Sequence, residues 1–138
     1  LKRVALGFAL LLPSIAVIAP SPAHAIELCK GGKRAERKVA CIVDGDTIWQ
    51  KGVKMRLLDI DAPEMRGACQ AETAKARAAT ERLSSLMTGG FRIKDSGDKD
   101  RTSDRRSLVR ILLSDGRDAG AVLISEGLAQ PWPNIGNT

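Results

Sequence analysis

Residues 42–64, IVDGDTIWQKGVKMRLLDIDAPE, decide how this chain reads. Short apolar, β-branched runs alternate there with tight-turn signals. Asp44-Gly45 separates a strand at residues 39–43 from one at 47–50, and Lys51-Gly52 leads into a third at 53–60. Ala62-Pro63 ends the third, because Pro cannot continue a central ladder. The same residues carry Asp46, Asp61 and Glu64, with Arg56 between them. Hard oxygen donors beside a planar guanidinium suit a phosphate group and a divalent cation. Strict alternation puts Arg56 and Asp61 on opposite faces, so a shared site requires a bulge or sharp turn before Asp61.

Beyond this stretch the hydrophobic period changes. Ala76, Ala79, Leu83 and Leu86 mark one face of a helix over residues 71–87, with Arg77 and Glu81 as an i,i+4 pair on the other face. Gly89-Gly90 stops it. A short strand at 91–94, a polar charged loop at 96–104 and a strand at 108–113 follow. Asp118 caps a second short helix that ends at Gly127. The tail from Pro131 has little periodicity. These elements read as α+β. Their small size and turn-separated strands favour a compact barrel over an open parallel sheet.

Upstream, Lys2 and Arg3, an apolar run at 4–12 and Ala23-His24-Ala25 have the layout of a signal peptide, with cleavage expected after Ala25. The apolar stretch is broken by Pro13-Ser14 and falls short of the roughly 20 residues of a spanning helix, so no stable membrane span is expected after cleavage. A membrane anchor is the alternative reading. The chain begins at Leu1 rather than Met, which a non-AUG start codon or a truncated gene model explains. Cleavage leaves 113 of the 138 residues, enough for one domain. Without Lys2 and Arg3 the 22 basic residues become 20 against 16 acidic ones, a net charge of +4 that suits a polyanionic partner. Export permits disulfides. Cys29, Cys41 and Cys69 allow three single pairings, of which Cys29–Cys41 is the shortest link and the one favoured. The spacing of the cysteines, with the one histidine at position 24, argues against a zinc site.

Asp44-Gly45-Asp46-Thr47 does not open an EF-hand, whose fifth, sixth and twelfth positions fall on Ile48, Trp49 and Met55. An aspartate phosphotransferase of the haloacid dehalogenase type needs a larger doubly wound sheet. Taken singly, a DGD hairpin turn, a solvated strand arginine and a turn glutamate are ordinary structural features. Together and in order they resemble the staphylococcal nuclease family, through VDGDTI at 43–48, RLLDIDAPE at 56–64, DRRSLVRI at 104–111 and ISEGLA at 124–129. The resemblance covers residues 42–129, between a basic arm at 26–41 and a tail at 130–138.

That resemblance implies a five-stranded OB-fold barrel with two or three packed helices, and Ca2+-dependent endonuclease cleavage of DNA and RNA with low sequence specificity. It implies Asp46, Asp61 and the backbone carbonyl of Ala62 as metal ligands, Asp44 behind them, Glu64 as the base acting on water, and Arg56 and Arg106 as a phosphate clamp. The protein is expected to be monomeric and secreted or periplasmic. Several positions depart from the family pattern. Asp104-Arg105 stands where relatives often have Tyr-Gly, which leaves Arg105 as the competitor of Arg106. The chain has no tyrosine to stack on a base, leaving Trp132 as a substitute or as a packing residue. Asp59 replaces an apolar or small residue, to tune metal affinity or to face solvent. Two further readings stay open: an OB-fold nucleic-acid-binding module without catalysis, and a structural envelope domain on an uncleaved anchor.

Overall fold

Lys51 and Gly52, both at positive φ (51° and 77°), close the hairpin between the second and third strands, the turn geometry that suits the twist of flanking strands. The structure, a computed structural model, describes residues 26–30, 40–102 and 104–132. The expected signal peptide, most of the basic arm and the last six residues of the tail lie outside them. The described elements are β1 (Cys41–Asp44), β2 (Thr47–Gln50), β3 (Val53–Leu57), β4 (Ile60–Asp61), α1 (Gln70–Thr88), β5 (Phe91–Lys99), β6 (Ser107–Leu113), α2 (Ala119–Ser125) and β7 (Gln130–Pro131).

Five strands form a mixed sheet in the order β1-β2-β3-β6-β5, with β3 and β6 parallel and the other neighbours antiparallel. The fold is α+β, as expected, with two helices on a Greek-key sheet of the partly open five-stranded kind. Ile42, Ile48, Leu57 and Ile111 from the sheet and Ile60 from β4 meet Leu83 and Met87 of α1 and Leu123 of α2 in one core. The buried face of α1 runs Ala76, Ala79, Thr80, Leu83 and Met87; Leu86, expected on it, is only half-buried. Arg82, which directly follows Glu81 of the expected Arg77–Glu81 pair, joins α1 to α2 through Glu126 at 2.7 Å.

Two boundaries differ from the sequence reading. The third strand ends at Leu57, and Leu58-Asp59 turn the chain before β4, with Asp59 at φ 64°. This is the sharp turn that a site shared by Arg56 and Asp61 requires. The second difference is β5, which runs to Lys99 rather than ending near residue 94. Its far half pairs with β6 through Lys99↔Ser107, across an irregularity after Asp95. Asp95 Oδ1 accepts from Gly97 N–H at 2.9 Å and Ser96 Oγ donates to Leu108 O at 2.7 Å, so polar side chains hold this irregular section. An exposed edge strand lacks the apolar period that sequence patterning detects.

The tail is drawn in as well: Gln130–Pro131 pairs with β4. At the other end of the chain, Cys29 is joined to Cys41 by a disulfide, and Leu28 bridges Ile42 in parallel alongside β1. Cys69 is free and exposed.

Candidate active site

Gly45 shapes the first half of the site. A Cβ built on it would lie 2.8 Å from the Cβ atoms of both Ala62 and Ala79. The β1–β2 turn therefore sits flush against the loop after β4 and against α1, a closeness that a hydrogen at position 45 permits. This packing buries Asp46. Its Oδ2 accepts from Ala62 N–H at 3.0 Å and its Oδ1 from the Thr47 hydroxyl at 2.8 Å. The β2–β3 register sets Thr47 opposite Arg56. From there the guanidinium Nη2 lies 3.3 Å from Asp46 Oδ2 and 3.0 Å from Asp61 Oδ1. Asp61 also accepts from Gln130 Nε2 at 3.3 Å, which ties β7 to the site.

The second arginine comes from the loop before β6. Arg106 Nη1 reaches the Thr47 hydroxyl at 3.4 Å. Its Nε bonds Asp100 Oδ2 at 2.6 Å, and its backbone N–H bonds Asp100 Oδ1 at 2.8 Å. Thr102 donates a further bond to Asp100 at 2.9 Å. Burial pushes the Asp100 carboxyl up, but hydrogen bonds from Arg106 and Thr102 and the charge of Arg106 outweigh it and hold the group below its ordinary value of 3.8. Arg105 is exposed at φ 43°, so of the two candidates Arg106 is the one brought to the acids.

Glu64 is exposed at the rim of a cleft of about 430 Å³ that Asp61, Ala62, Pro63, Glu72, Lys75 and Gln130 also line. Among the described residues no hydrogen bond or ion pair engages its carboxylate, which leaves it open to a proton from the cleft. Asp44 is half-buried behind Asp46 and accepts that residue's N–H at 3.2 Å. Its carboxyl is pushed up to about 7, chiefly by burial, then by the charge of Asp46 and a hydrogen bond with it, with Glu64 adding a smaller push.

Asp59 is exposed to solvent rather than gathered with the acids. Its carboxylate pairs with Arg110, whose Nη1 also bonds Asp118 Oδ2 at 2.7 Å, and Asp118 in turn caps α2 through Gly120 N–H. Trp132 is half-buried, and its backbone N–H donates to Asp59 O at 2.9 Å. The turn that aims Asp61 is thus held by Arg110, itself anchored on Asp118, and by Trp132.

The donor chemistry fits a hard cation. Asp46 and Asp61 already converge on one cationic group, the Arg56 guanidinium, and Asp44 lies close enough to Asp46 to feel its charge. Among the described residues no group of three or more acidic, cysteine or histidine side chains converges as a metal site. Two carboxylates would therefore need backbone carbonyl and water oxygens to complete the six to eight ligands usual for Ca2+.

A family model described as staphylococcal nuclease homologue matches residues 54–135. The chain belongs to that family. The match covers more than half of the chain and takes in Arg56, Asp61, Glu64 and Arg106, while Asp46 lies ahead of it. No curated protein matches the chain. Membership makes this staphylococcal nuclease homologue a nuclease or nucleic-acid-binding module on an OB-type fold. No helix of the described residues is long and apolar enough to cross a membrane.

The sequence reading missed Asp100, Thr47 and Gln130. Asp100 stood in a charge-rich stretch, and an acid six residues ahead of an arginine carries no pattern that separates a buried partner from a solvated charge. Thr47 was read only as a strand residue, although the cross-strand position of Arg56 follows from the Lys51-Gly52 turn.

Proposed function

We propose that this chain is an exported, monomeric, Ca2+-dependent endonuclease. It hydrolyses phosphodiester bonds of single-stranded or frayed DNA and of RNA, with low sequence specificity. The observation that carries this reading is the approach of Arg56 to Asp46 and of Arg106, fifty residues further on, to the adjacent Thr47. A binding module needs cations for a phosphate, but it has no use for Asp46, Asp61 and Glu64 beside them.

In this reading Asp46, Asp61 and the carbonyl of Ala62 hold Ca2+. When bound, the ion supplies a Lewis acid for the phosphate and a template for the water. Arg56 exchanges its carboxylate partners for the non-bridging oxygens of the phosphate, and Arg106 takes the opposite side. Two planar forks then neutralise the charge that grows on those oxygens. Asp100 binds Nε of Arg106 and so leaves its terminal nitrogens facing the site. Glu64 takes the proton as the water oxygen bonds to phosphorus and the bond from phosphorus to the leaving oxygen breaks, that oxygen taking its proton from solvent. The disulfide and the N-terminal sequence support a secreted or periplasmic location.

Incubation of the folded protein with single-stranded DNA, with Ca2+ or with chelator, tests this reading. Cleavage that needs Ca2+ is expected. Folded protein that binds DNA but leaves it intact in Ca2+ rejects the reading in favour of the binding module. Glu64→Gln should lower turnover by about 10²-fold or more while the melting temperature stays unchanged.

A further inference from the structure

We propose that the basic cleft beside Arg106 is a subsite for the single strand that flanks the reacting phosphate. The cleft, of about 410 Å³, is lined by residues of the β2–β3 hairpin and by those around the start of β6. Lys54, Lys99, Arg105 and Arg106 line it against one acid, Asp104, and Trp49 contributes to its wall. Arg106 is tied to Asp100, and the positive charge of the other three is available rather than spent. Lys54 pairs with Asp104 at 3.5 Å, an exposed contact of the kind that exchanges easily. Lys99 Nζ donates to the neutral hydroxyl of Ser107 at 3.0 Å. Among the described residues no ion pair engages Arg105.

The cleft is continuous with the acidic centre through Arg106, which lines it and also reaches Thr47 beside Asp46. On the other side of the centre the charge reverses. The cleft of Glu64 has Asp61, Glu64 and Glu72 against Lys75. A polyanion leaving the Arg56–Arg106 pair is drawn one way and repelled the other, so strand contacts are one-sided. Lysine and arginine contacts to phosphates carry no base information, so this subsite binds without sequence preference.

The proposal rests on the nuclease reading for the place of the reacting phosphate, and binding in chelator separates the two. The probes are a thymidine dinucleotide and a longer oligothymidylate, titrated against Trp49 fluorescence in a Trp132→Phe background without metal. The longer strand should bind at least about tenfold more tightly at low salt. Combining Lys54→Ala, Lys99→Ala and Arg105→Asn removes three charges, and Asn tolerates the positive φ at position 105. That variant should lose about 2 from the slope of log affinity against log salt, at roughly 0.7 per phosphate contact, while dinucleotide binding changes little. Equal binding of both lengths by the parent overturns the subsite, a result that needs no variant to fold. An unchanged salt slope in the folded triple variant overturns it too. In the Ca2+ assay the triple variant should raise KM for the long strand at constant kcat. A parent that cleaves nothing rejects the nuclease reading and leaves the binding result standing.

Discussion

Replacing Gly45 with Ala tests how the acidic turn is seated. The added methyl would meet two alanine Cβ atoms at 2.8 Å, and neither has a rotamer with which to retreat. Ordinary contact begins at 3.4 Å, so the turn must separate by 0.6 Å from both Ala62 and Ala79. Overpacking of this kind costs about 1–3 kcal/mol. An opposing term exists, because Ala restricts the unfolded chain and stabilises by about 0.4–1 kcal/mol where its backbone is unstrained. The φ of Gly45 is not in the left-handed region, so that gain applies in full. The net expectation is a loss of about 1–2 kcal/mol, or roughly 4–16 °C in melting temperature for a domain of this size. Activity should fall further than stability, since moving Ala62 away lengthens the bond from its N–H to Asp46 Oδ2. Urea melts of Gly45→Ala, Ala62→Gly and the double variant form a cycle. A favourable coupling near 1 kcal/mol is expected, because the second change removes one of the two clashes. A Gly45→Ala protein more stable than its parent refutes the reasoning, for then only the unfolded-state term remains.

Arg110→Met should cost about 1–2 kcal/mol, since both of its carboxylate partners sit in partly exposed pairs, and it should weaken Ca2+ dependence by releasing the Asp59 turn. Calcium titration of turnover checks this, and an unchanged midpoint removes Arg110 from the support of Asp61. Reduction of the Cys29–Cys41 disulfide should lower stability by about 3 kcal/mol on the loop-entropy argument, while Cys69→Ser should leave the melt unchanged. Equal melts with and without reductant contradict this. The Asp100 carboxyl is held below 3.8 in the folded state, so its contribution to stability is complete above that value and disappears as pH falls further through its folded pKa. Acid titration of stability should therefore flatten below pH 3.8 in Asp100→Asn relative to the parent; superimposable acid limbs speak against an Asp100–Arg106 tie that matters.

What could be read in the sequence depended on the range of the interaction that carries it. Turns were legible because they are local: Asp44-Gly45 and Lys51-Gly52 close hairpins by their own backbone preferences. The helix was legible from its period, although its buried face ends on Met87, with Leu86 only partly buried against the core. The second half of β5 was hidden because its residues are exposed, polar and held by side-chain hydrogen bonds, which leave no alternation to detect. The turn at Leu58-Asp59 could be demanded by the function but not seen. Asp59 takes a positive φ as aspartate can, and what stabilises it comes from Arg110, Trp132 and, through Arg110, Asp118, all distant in sequence.

The same reasoning explains why the cluster in residues 42–64 is incomplete by itself. Arg56 is bound to the acids by a hairpin, so its place follows from local turn geometry. Arg106 has no such route. It precedes β6, which pairs in parallel with β3 in the register Met55↔Ser107 and Arg56↔Leu108. That register sets Arg106 at the level of the β2–β3 hairpin, within reach of Thr47. A slip of one residue in β6 would turn the alternating Val109, Ile111 and Leu113 away from their buried face, so burial of those three side chains holds the arginine in place. Asp100 adds the second constraint, gripping both the backbone N–H and Nε of Arg106, so that the strand positions the residue and the acid orients its side chain. In the proposed reading, phosphate recognition rests on a core register and a buried carboxylate, and neither of them would touch the substrate.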